Sequence, residues 1–305
     1  MRPLPRLCLL LLALLPLGPV QAEPPRVAVS IPPIHSLVAA VMEGVAEPTL
    51  IVKGGASPHT YTLRPSEMQA LYDADAIVWV DERVSPFLAK PLATLAGKAR
   101  QIPVLQLPGL KRLPARRGGS WDRGHDHEPA AEPTDVDPHL WLDPENARRI
   151  AAAVAETLVE LDPANARHYR ANALRLDRRL GVLDRMLAQR LAPFREVPYL
   201  VFHDAYQYLE GRYGLNAVGA VSVSPDRRPG ARRLAEIRDR IETLGVRCLF
   251  REPQFPPKLV ETLVEGSAVR VGVLDPLGAD LAPGPRLYGR LLDRLAGALA
   301  DCLGP

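Results

Sequence analysis

Residues 162–193, which read DPANARHYRANALRLDRRLGVLDRMLAQRLAP, determine the predicted organisation of the chain. Asp162 is a favourable N-cap, Pro163 suits the first helical position, and no clear stop follows before Pro193. The apolar stripe expected on this helix consists of Leu174, Leu176, Leu180, Leu183, Met186 and Leu187. A helix of this length would run about 45 Å at ~1.5 Å per residue, long enough to connect two structural units.

On both sides of this helix, short apolar runs alternate with helical patterns. The predicted strands are 27–31, 48–52, 76–80 and 102–107 before the helix, and 199–202, 217–223, 246–250 and 269–274 after it. Such alternation is typical of parallel sheets covered by helices on both faces. The sequence therefore predicts an α/β fold of two lobes, each a parallel sheet flanked by helices, joined by a long rigid helix.

The predicted boundaries are a signal peptide at 1–22, an N-terminal lobe at 23–161, a linker helix at 162–194 and a C-terminal lobe at 195–305. Residues 108–138 lack periodicity and are predicted to form a long exposed loop inside the first lobe. The signal peptide is indicated by Arg2 and Arg6, the apolar run 7–17 and the small residues of 20–22. A membrane anchor is the alternative, but the apolar run is short for a bilayer span. We therefore expect an exported protein without a membrane anchor.

Charge and cysteine content further limit the partners and the compartment that the protein can have. The formal net charge is +3, and loss of Arg2 and Arg6 would bring it close to neutral, which argues against nucleic acid or an anionic membrane as partner. Export would leave two cysteines, Cys248 and Cys302. In an oxidising compartment such a pair is most simply a disulfide, here joining a predicted strand to the last helix. The alternative is two buried free thiols.

Four residues follow strand-like runs or loops in unusual contexts: His59, His139, His203 and Asp275. Ligands of α/β sheets bind beyond the carboxyl ends of strands, and three imidazoles with one carboxylate form a tetrahedral set suited to zinc. Two of the four come from each half, so a cleft between the lobes is the expected meeting place. Each histidine taken alone could be structural, and Asp275 could instead cap the turn formed with Pro276 and Gly278.

Three further residues have possible roles near a metal. His125 and His127 lie in the predicted loop and could capture zinc weakly; an exposed polar loop without function is the alternative. Glu252, at another strand end, is a candidate hydrogen-bond partner for a ligand.

Several segments resemble one family, the periplasmic high-affinity zinc-binding proteins of bacterial ABC importers (the ZnuA type, within the cluster 9 solute-binding proteins). The segments are Gly55-Ala56-Ser57-Pro58-His59, Leu63-Arg64-Pro65-Ser66, Pro138-His139-Leu140-Trp141-Leu142, Val201-Phe202-His203-Asp204-Ala205-Tyr206, Pro229-Gly230-Ala231, Arg251-Glu252-Pro253-Gln254-Phe255 and Leu274-Asp275-Pro276-Leu277-Gly278. The resemblance covers nearly the whole mature chain. It implies a periplasmic, non-enzymatic, monomeric receptor that binds Zn²⁺ in the cleft and delivers it to a membrane permease.

The resemblance also defines the alternatives. Related manganese receptors carry a glutamate where this chain has His203, and a nitrogen-rich set favours zinc over manganese. The zinc family often has an acidic residue before the first histidine, whereas this chain has Pro58, so Asp275 or a water must complete the set. A secreted zinc hydrolase could also use three histidines, but the chain lacks a His-Glu-x-x-His helix and a Gly-x-Ser-x-Gly elbow. An adhesin could share the fold.

Overall fold

The structure is a computed structural model that describes residues 23–95, 97–116, 118–121, 136–222 and 229–305. The predicted signal peptide at 1–22 and the loop histidines His125 and His127 lie outside the described residues. Over the described ranges, no helix combines the length and apolarity that crossing a bilayer requires.

Two parallel four-stranded sheets form the framework of the molecule. The strands of the first are β1 (Val27–Val29), β2 (Thr49–Leu50), β3 (Ala76–Trp79) and β4 (Arg100–Pro103), in the order β2-β1-β3-β4. The strands of the second are β5 (Tyr199–His203), β6 (Ala217–Ser222), β7 (Cys248–Arg251) and β8 (Arg270–Val273), in the order β6-β5-β7-β8. The prediction of two α/β units with parallel sheets is confirmed.

Nine α-helices flank and join the sheets in the described residues. They are α1 (Pro32–Met42), α2 (Pro65–Asp73), α3 (Ala89–Thr94), α4 (Pro144–Leu161), α5 (Ala166–Leu191), α6 (Gln207–Tyr213), α7 (Ala231–Thr243), α8 (Lys258–Val264) and α9 (Leu287–Leu303). Short 3-10 turns occur at Pro58–Thr60, Pro86–Leu88, Val104–Gln106, Leu140–Leu142, Pro163–Asn165 and Ala192–Phe194.

The long helix begins at the position that the sequence predicts. The Asp162 carboxylate accepts hydrogen bonds from the Asn165 backbone N–H (3.3 Å) and the Tyr169 hydroxyl (2.7 Å). The first turn, Pro163–Asn165, is a 3-10 turn, and the α-helix proper, α5, follows it. Asp162 thus satisfies N–H groups that the helix start leaves without partners.

The apolar stripe on α5 is narrower than predicted. Leu176, Leu180 and Leu187 are buried, whereas Leu174 is 61% exposed and Met186 is 59% exposed. The prediction that Leu174 and Met186 belong to the apolar stripe is wrong. A helix repeats every ~3.6 residues, so Leu174 does not face the same side as Leu176, and Met186 does not face the same side as Leu187.

Both halves pack against α5. The helix contacts α1 and α4 of the first half and α6 and α9 of the second, while α9 also contacts α1. The Asn172 amide donates to the carbonyls of Val41 and Glu43 in the first half, and Asp184 accepts from Arg212 and Tyr213 in the second. One hydrophobic cluster contains residues of both sheets and of these helices, so the halves share a core on the side of α5.

The predicted disulfide is present. Cys248 of β7 and Cys302 of α9 are bonded, with Cα atoms 6.1 Å apart. The bond attaches the terminal helix to the second sheet.

Two predictions near the first sheet need correction. The predicted strand 102–107 pairs with β3 only up to Pro103, opposite Trp79, and Val104–Gln106 then forms a 3-10 turn. Val104 and Leu105 are buried, which explains why their apolar run resembles a strand in the sequence. The loop predicted at 108–138 is also not uniformly exposed, since Leu110 and Asp137 are buried in its described flanks.

Candidate metal centre

Three of the four predicted ligands meet in the folded chain. The side chains of His59, His139 and His203 place one nitrogen each within 4.8 Å of one another. The Nε2 atoms of His139 and His203 are 3.4 Å apart. Among the described residues, no other group of three or more histidines, cysteines or carboxylates has the geometry to hold a metal ion.

Each histidine is positioned by a strand end or a short turn. His203 is the last residue of β5, at the carboxyl edge of the second sheet. His59 lies in the Pro58–Thr60 turn that follows β2, and His139 immediately precedes the Leu140–Leu142 turn that leads into α4. The cluster therefore joins the two halves at the position expected for ligands of parallel sheets.

The other ring nitrogen of each histidine is already engaged. Nδ1 of His203 lies 2.6 Å from Glu252 Oε1, Nδ1 of His139 lies 2.8 Å from Asp137 Oδ1, and Nδ1 of His59 lies 3.0 Å from the Arg83 carbonyl oxygen. Carboxylates and carbonyls accept hydrogen bonds, so each neutral imidazole donates its proton through Nδ1. A ring held by a hydrogen bond at one nitrogen is typical of metal-bound histidines, whose other nitrogen faces the ion.

Asp137 also belongs to the site, although it was not among the residues predicted from the sequence. Its Oδ1 also accepts the backbone N–H of His139 at 2.9 Å, so one carboxylate fixes both the ring and the backbone of this residue. Asp137 is buried, and burial raises its pKa to about 7. Only its position two residues before His139 could have suggested the role.

Glu252 is the hydrogen-bond partner that its strand-end position suggested. It is buried beside His203, one residue beyond β7. Burial alone would lower the pKa of His203, but the charge and hydrogen bond of Glu252 raise it above its usual value. The pKa of His139 is instead lowered well below its usual value, by burial and by the charge of His203.

A buried ion-pair network lies behind this pair of histidines. The Arg116 guanidinium is 3.3 Å from Asp204 Oδ1 and 2.5 Å from Glu210 Oε2. Burial raises the pKa of Asp204 to about 7, although the charge of Arg116 opposes the shift. Arg116 comes from the predicted exposed loop, so its burial against the second half corrects that prediction. One arginine among several in a charged loop carries no sequence signal for such a contact.

Asp275 is not part of the three-histidine cluster. Its Oδ1 accepts the backbone N–H of Leu277 at 3.0 Å and the Gln254 side-chain amide at 2.7 Å, while its Oδ2 accepts the backbone N–H of Ala279 at 2.6 Å. These are the bonds of the turn-capping alternative. Ligation by Asp275 stays a prediction, and it would require the carboxylate to exchange some of these donors for the metal.

Apolar side chains line the centre. The Trp141 ring lies 5.2 Å from the His139 ring, and the Phe255 ring lies 6.0 Å from the His203 ring. The Trp141 indole N–H donates to the Pro276 carbonyl at 2.9 Å, which links the two halves beside the histidines. Low-polarity walls strengthen the attraction between a cation and its ligands, because little water remains to screen it.

Comparisons with known proteins agree on one family. Residues 27–302 match the family described as "ZnuA: Zinc-uptake complex component A periplasmic". The chain is 44% identical over 305 residues to the "High-affinity zinc uptake system protein ZnuA" of Brucella abortus (strain 2308), covering 91% of each protein. It is 38% identical over 306 residues to the protein of the same name from Paracoccus denitrificans (strain Pd 1222), covering 94% of each.

A solved structure shows the same architecture. The chain superposes on a crystal structure of ZnuA with a TM-score of 0.76 at 26% identity, and the match covers 92% of this chain and 99% of that chain. The similarity therefore includes both sheets and the helix between them.

Proposed function

The chain belongs to the ZnuA family of periplasmic zinc-uptake components, and on that premise we propose that it captures Zn²⁺ between its two halves and delivers it to the membrane permease of an ABC importer. In this role the protein is a monomeric carrier, and zinc is its cargo rather than a resident cofactor. The predicted signal peptide at 1–22 would place it in the periplasm.

The observation that carries the proposal is the shared orientation of three imidazoles. His59, His139 and His203 each bond through Nδ1 to a protein oxygen, and one nitrogen of each ring lies within 4.8 Å of the others. Three neutral nitrogen donors suit Zn²⁺, which prefers nitrogen and sulfur, better than Mn²⁺, which prefers oxygen. The manganese alternative is therefore disfavoured by the donor set itself.

A fourth donor completes a tetrahedral zinc site, and we propose Asp275 for that position, with water as the alternative. Asp275 precedes Pro276, whose carbonyl already bonds to Trp141 beside the histidines. A carboxylate would also offset half the charge of the ion in a partly buried centre, where uncompensated charge is costly. A zinc-bound crystal structure decides the point. An Asp275 oxygen at about 2.0–2.2 Å from the metal is expected, and a water there, with Asp275 still capping its turn, would refute the assignment.

A zinc hydrolase would need a general base in addition to the metal. The two carboxylates nearest the histidines, Asp137 and Glu252, are both hydrogen-bonded to ligand rings. Neither is therefore free to take a proton from a metal-bound water without giving up its histidine. This arrangement favours retention of the ion over catalysis.

The function is tested by zinc stoichiometry and affinity of the mature protein, measured by calorimetry with a competing chelator. One tight zinc is expected in the parent, and His203→Ala is expected to weaken it steeply. His168→Ala is the matched control, because His168 is an exposed histidine on α5. Unchanged zinc affinity in His203→Ala, or turnover of ester and peptide substrates by the zinc-loaded parent, would contradict the proposal.

A further inference from the structure

A short segment between the two halves covers an open edge of the second sheet. We name residues 118–121 the strap. Ser120 of the strap pairs antiparallel with Gly219 of β6, the edge strand of that sheet. The Gly119 carbonyl accepts the Ala220 N–H at 2.8 Å, and the Trp121 N–H donates to the Val218 carbonyl at 3.2 Å. The strap thus forms one antiparallel bridge with β6, supported by two backbone hydrogen bonds.

Two arginines of α7 hold the strap in place. The Arg233 guanidinium donates to the Ser120 hydroxyl at 2.7 Å, to the Gly119 carbonyl, and to the Ala220 carbonyl of β6 at 2.6 Å. Arg240 donates to the Trp121 carbonyl at 3.2 Å and to the Val218 carbonyl of β6 at 3.1 Å. Each side chain therefore bonds to the strap and to β6 at the same time.

The close approach of the strap also depends on Gly219. A Cβ atom at this position would lie 2.7 Å from the Gly119 carbonyl oxygen, a distance that real Cβ atoms do not adopt. Glycine in the strand thus permits the backbone contact, as is typical where another backbone approaches closely.

The chain just before the strap is fixed to the first half. Arg112 donates to the carbonyls of Leu105 (2.8 Å) and Leu107 (2.6 Å). The Lys111 backbone exchanges two hydrogen bonds with the Asn146 side chain, at 2.8 and 2.9 Å. Fewer than ten residues therefore separate an anchor on the first half from the strap on the second.

Between these anchors, the chain contacts Asp137, which orients His139, and Asp204, which follows His203 in sequence. The Leu113 carbonyl accepts the Asp137 N–H at 2.8 Å, and Asp137 holds His139. Arg116 pairs with Asp204, the residue after His203. A segment held at both ends keeps these contacts fixed. Release of the strap would allow the contacts to Asp137 and Asp204 to break and re-form.

We propose that the strap is a positioning element for metal retention: its docking on β6, fixed by Arg233, holds the surroundings of His139 and His203 and so slows the release of zinc. The proposal rests on the proposed function, because it concerns the same ion. Arg233 acts through the strap and does not contact the ion.

The chain offers a matched pair of variants. Arg232 and Arg233 are neighbours on α7 and both pair with Glu236, at 3.1 Å each, but only Arg233 contacts the strap. Two measurements are made on each full-length mature protein. Hydrogen exchange of the Ala220 and Trp121 amides reports strap docking, and the rate of zinc release into excess chelator reports retention.

In Arg233→Ala, both amides are expected to exchange faster and zinc release to accelerate about tenfold, since hydrogen bonds to charged groups contribute of this order. Arg232→Ala is expected to match the parent in both measurements. Gly219→Ala, which disturbs the strap without changing charge, should act in the same direction as Arg233→Ala and supplies the test if that variant folds poorly.

The outcomes separate the two proposals. Faster amide exchange with an unchanged zinc release rate would show that the strap is only structural and would overturn the inference. Unchanged exchange in Arg233→Ala and Gly219→Ala, or equal acceleration in Arg232→Ala, would overturn it as well. A parent protein that binds no zinc would instead refute the proposed function, and the inference with it.

Discussion

The three histidines of the centre are held in two different ways. His139 and His203 are buried, with side chains 7% and 4% exposed, and each bonds to a buried carboxylate. His59 is only partly buried and bonds to a backbone carbonyl of the first half. A carboxylate partner fixes an imidazole and raises its basicity more than a carbonyl does. We infer that His139 and His203 form a preorganised inner pair, and that His59 completes the site from outside.

His139 and His203 also differ from each other in the direction of their pKa shifts. Both rings are buried, yet the pKa of His139 is lowered and that of His203 is raised, because Glu252 offsets the effect of burial at His203. His203 is therefore the more basic ring of the pair and His139 the less basic one. A metal bound through His203 would compete with a proton for that ring, so we expect metal binding to depend on pH.

The largest expected effect comes from removing one inner histidine. His139→Ala and His203→Ala should each weaken zinc binding more than the roughly 100-fold that loss of a hydrogen-bond partner costs. His59→Ala should weaken it less, because the preorganised pair remains. Competition with a calibrated chelator measures all three. A His59→Ala protein that binds zinc more weakly than His139→Ala and His203→Ala would contradict this ranking.

A smaller effect is expected from the carboxylates. Glu252→Gln keeps the shape of the side chain and removes its charge, so zinc affinity should fall by about 10- to 100-fold while His203 stays in place. Asp137→Asn should act in the same range through His139. The matched control is Glu242→Gln, at an exposed position near the end of α7. Parent-like affinity in both Glu252→Gln and Asp137→Asn would show that the carboxylates do not distinguish the inner pair.

The pH dependence of zinc affinity tests the same difference between His203 and His139. The raised pKa of His203 means that protonation begins to compete with zinc above the ordinary histidine value of 6.5. Below the raised pKa, apparent affinity should fall about tenfold per pH unit, since one proton leaves for each zinc bound. In Glu252→Gln the onset should move to lower pH, because the charge of Glu252 no longer offsets the effect of burial on the pKa of His203. Calorimetry across pH 5.5 to 8 tests this, and an onset that does not move between the two proteins would contradict it.

The smallest effect is expected outside the centre. Deletion of residues 125–128, with His125 and His127, should leave the tight site unchanged and remove at most a weak second zinc. These histidines lie in a segment without strand or helix periodicity, so nothing in the sequence orients their rings toward a common centre. Loss of the tight zinc on calorimetric titration of the deletion variant would show that the centre depends on more than the three histidines.

Part of this site follows from the order of residues alone. Parallel strands place their carboxyl ends at one edge, so histidines after strand-like runs could be expected to converge. The prediction of His59, His139 and His203 as a group used that rule for His59 and His203, the chemistry of imidazole and the family resemblance, and the structure brings the three together. The Cys248–Cys302 bond was likewise predicted from an even cysteine count, and it is present.

Apart from Glu252, the groups that surround these histidines were decided by tertiary structure alone. The positions of Asp137, Arg116 and the strap depend on long-range contacts, and a charged residue in a loop looks the same in sequence whether it is solvated or buried against the other half. The same holds for Asp275, whose strand-end position fits both a ligand and a turn cap, and whose oxygens are taken by the N–H groups of Leu277 and Ala279 and by Gln254. Sequence periodicity specifies local elements and the edges where they end, whereas hydrogen-bond partners far apart in the chain are fixed only when the two halves pack together.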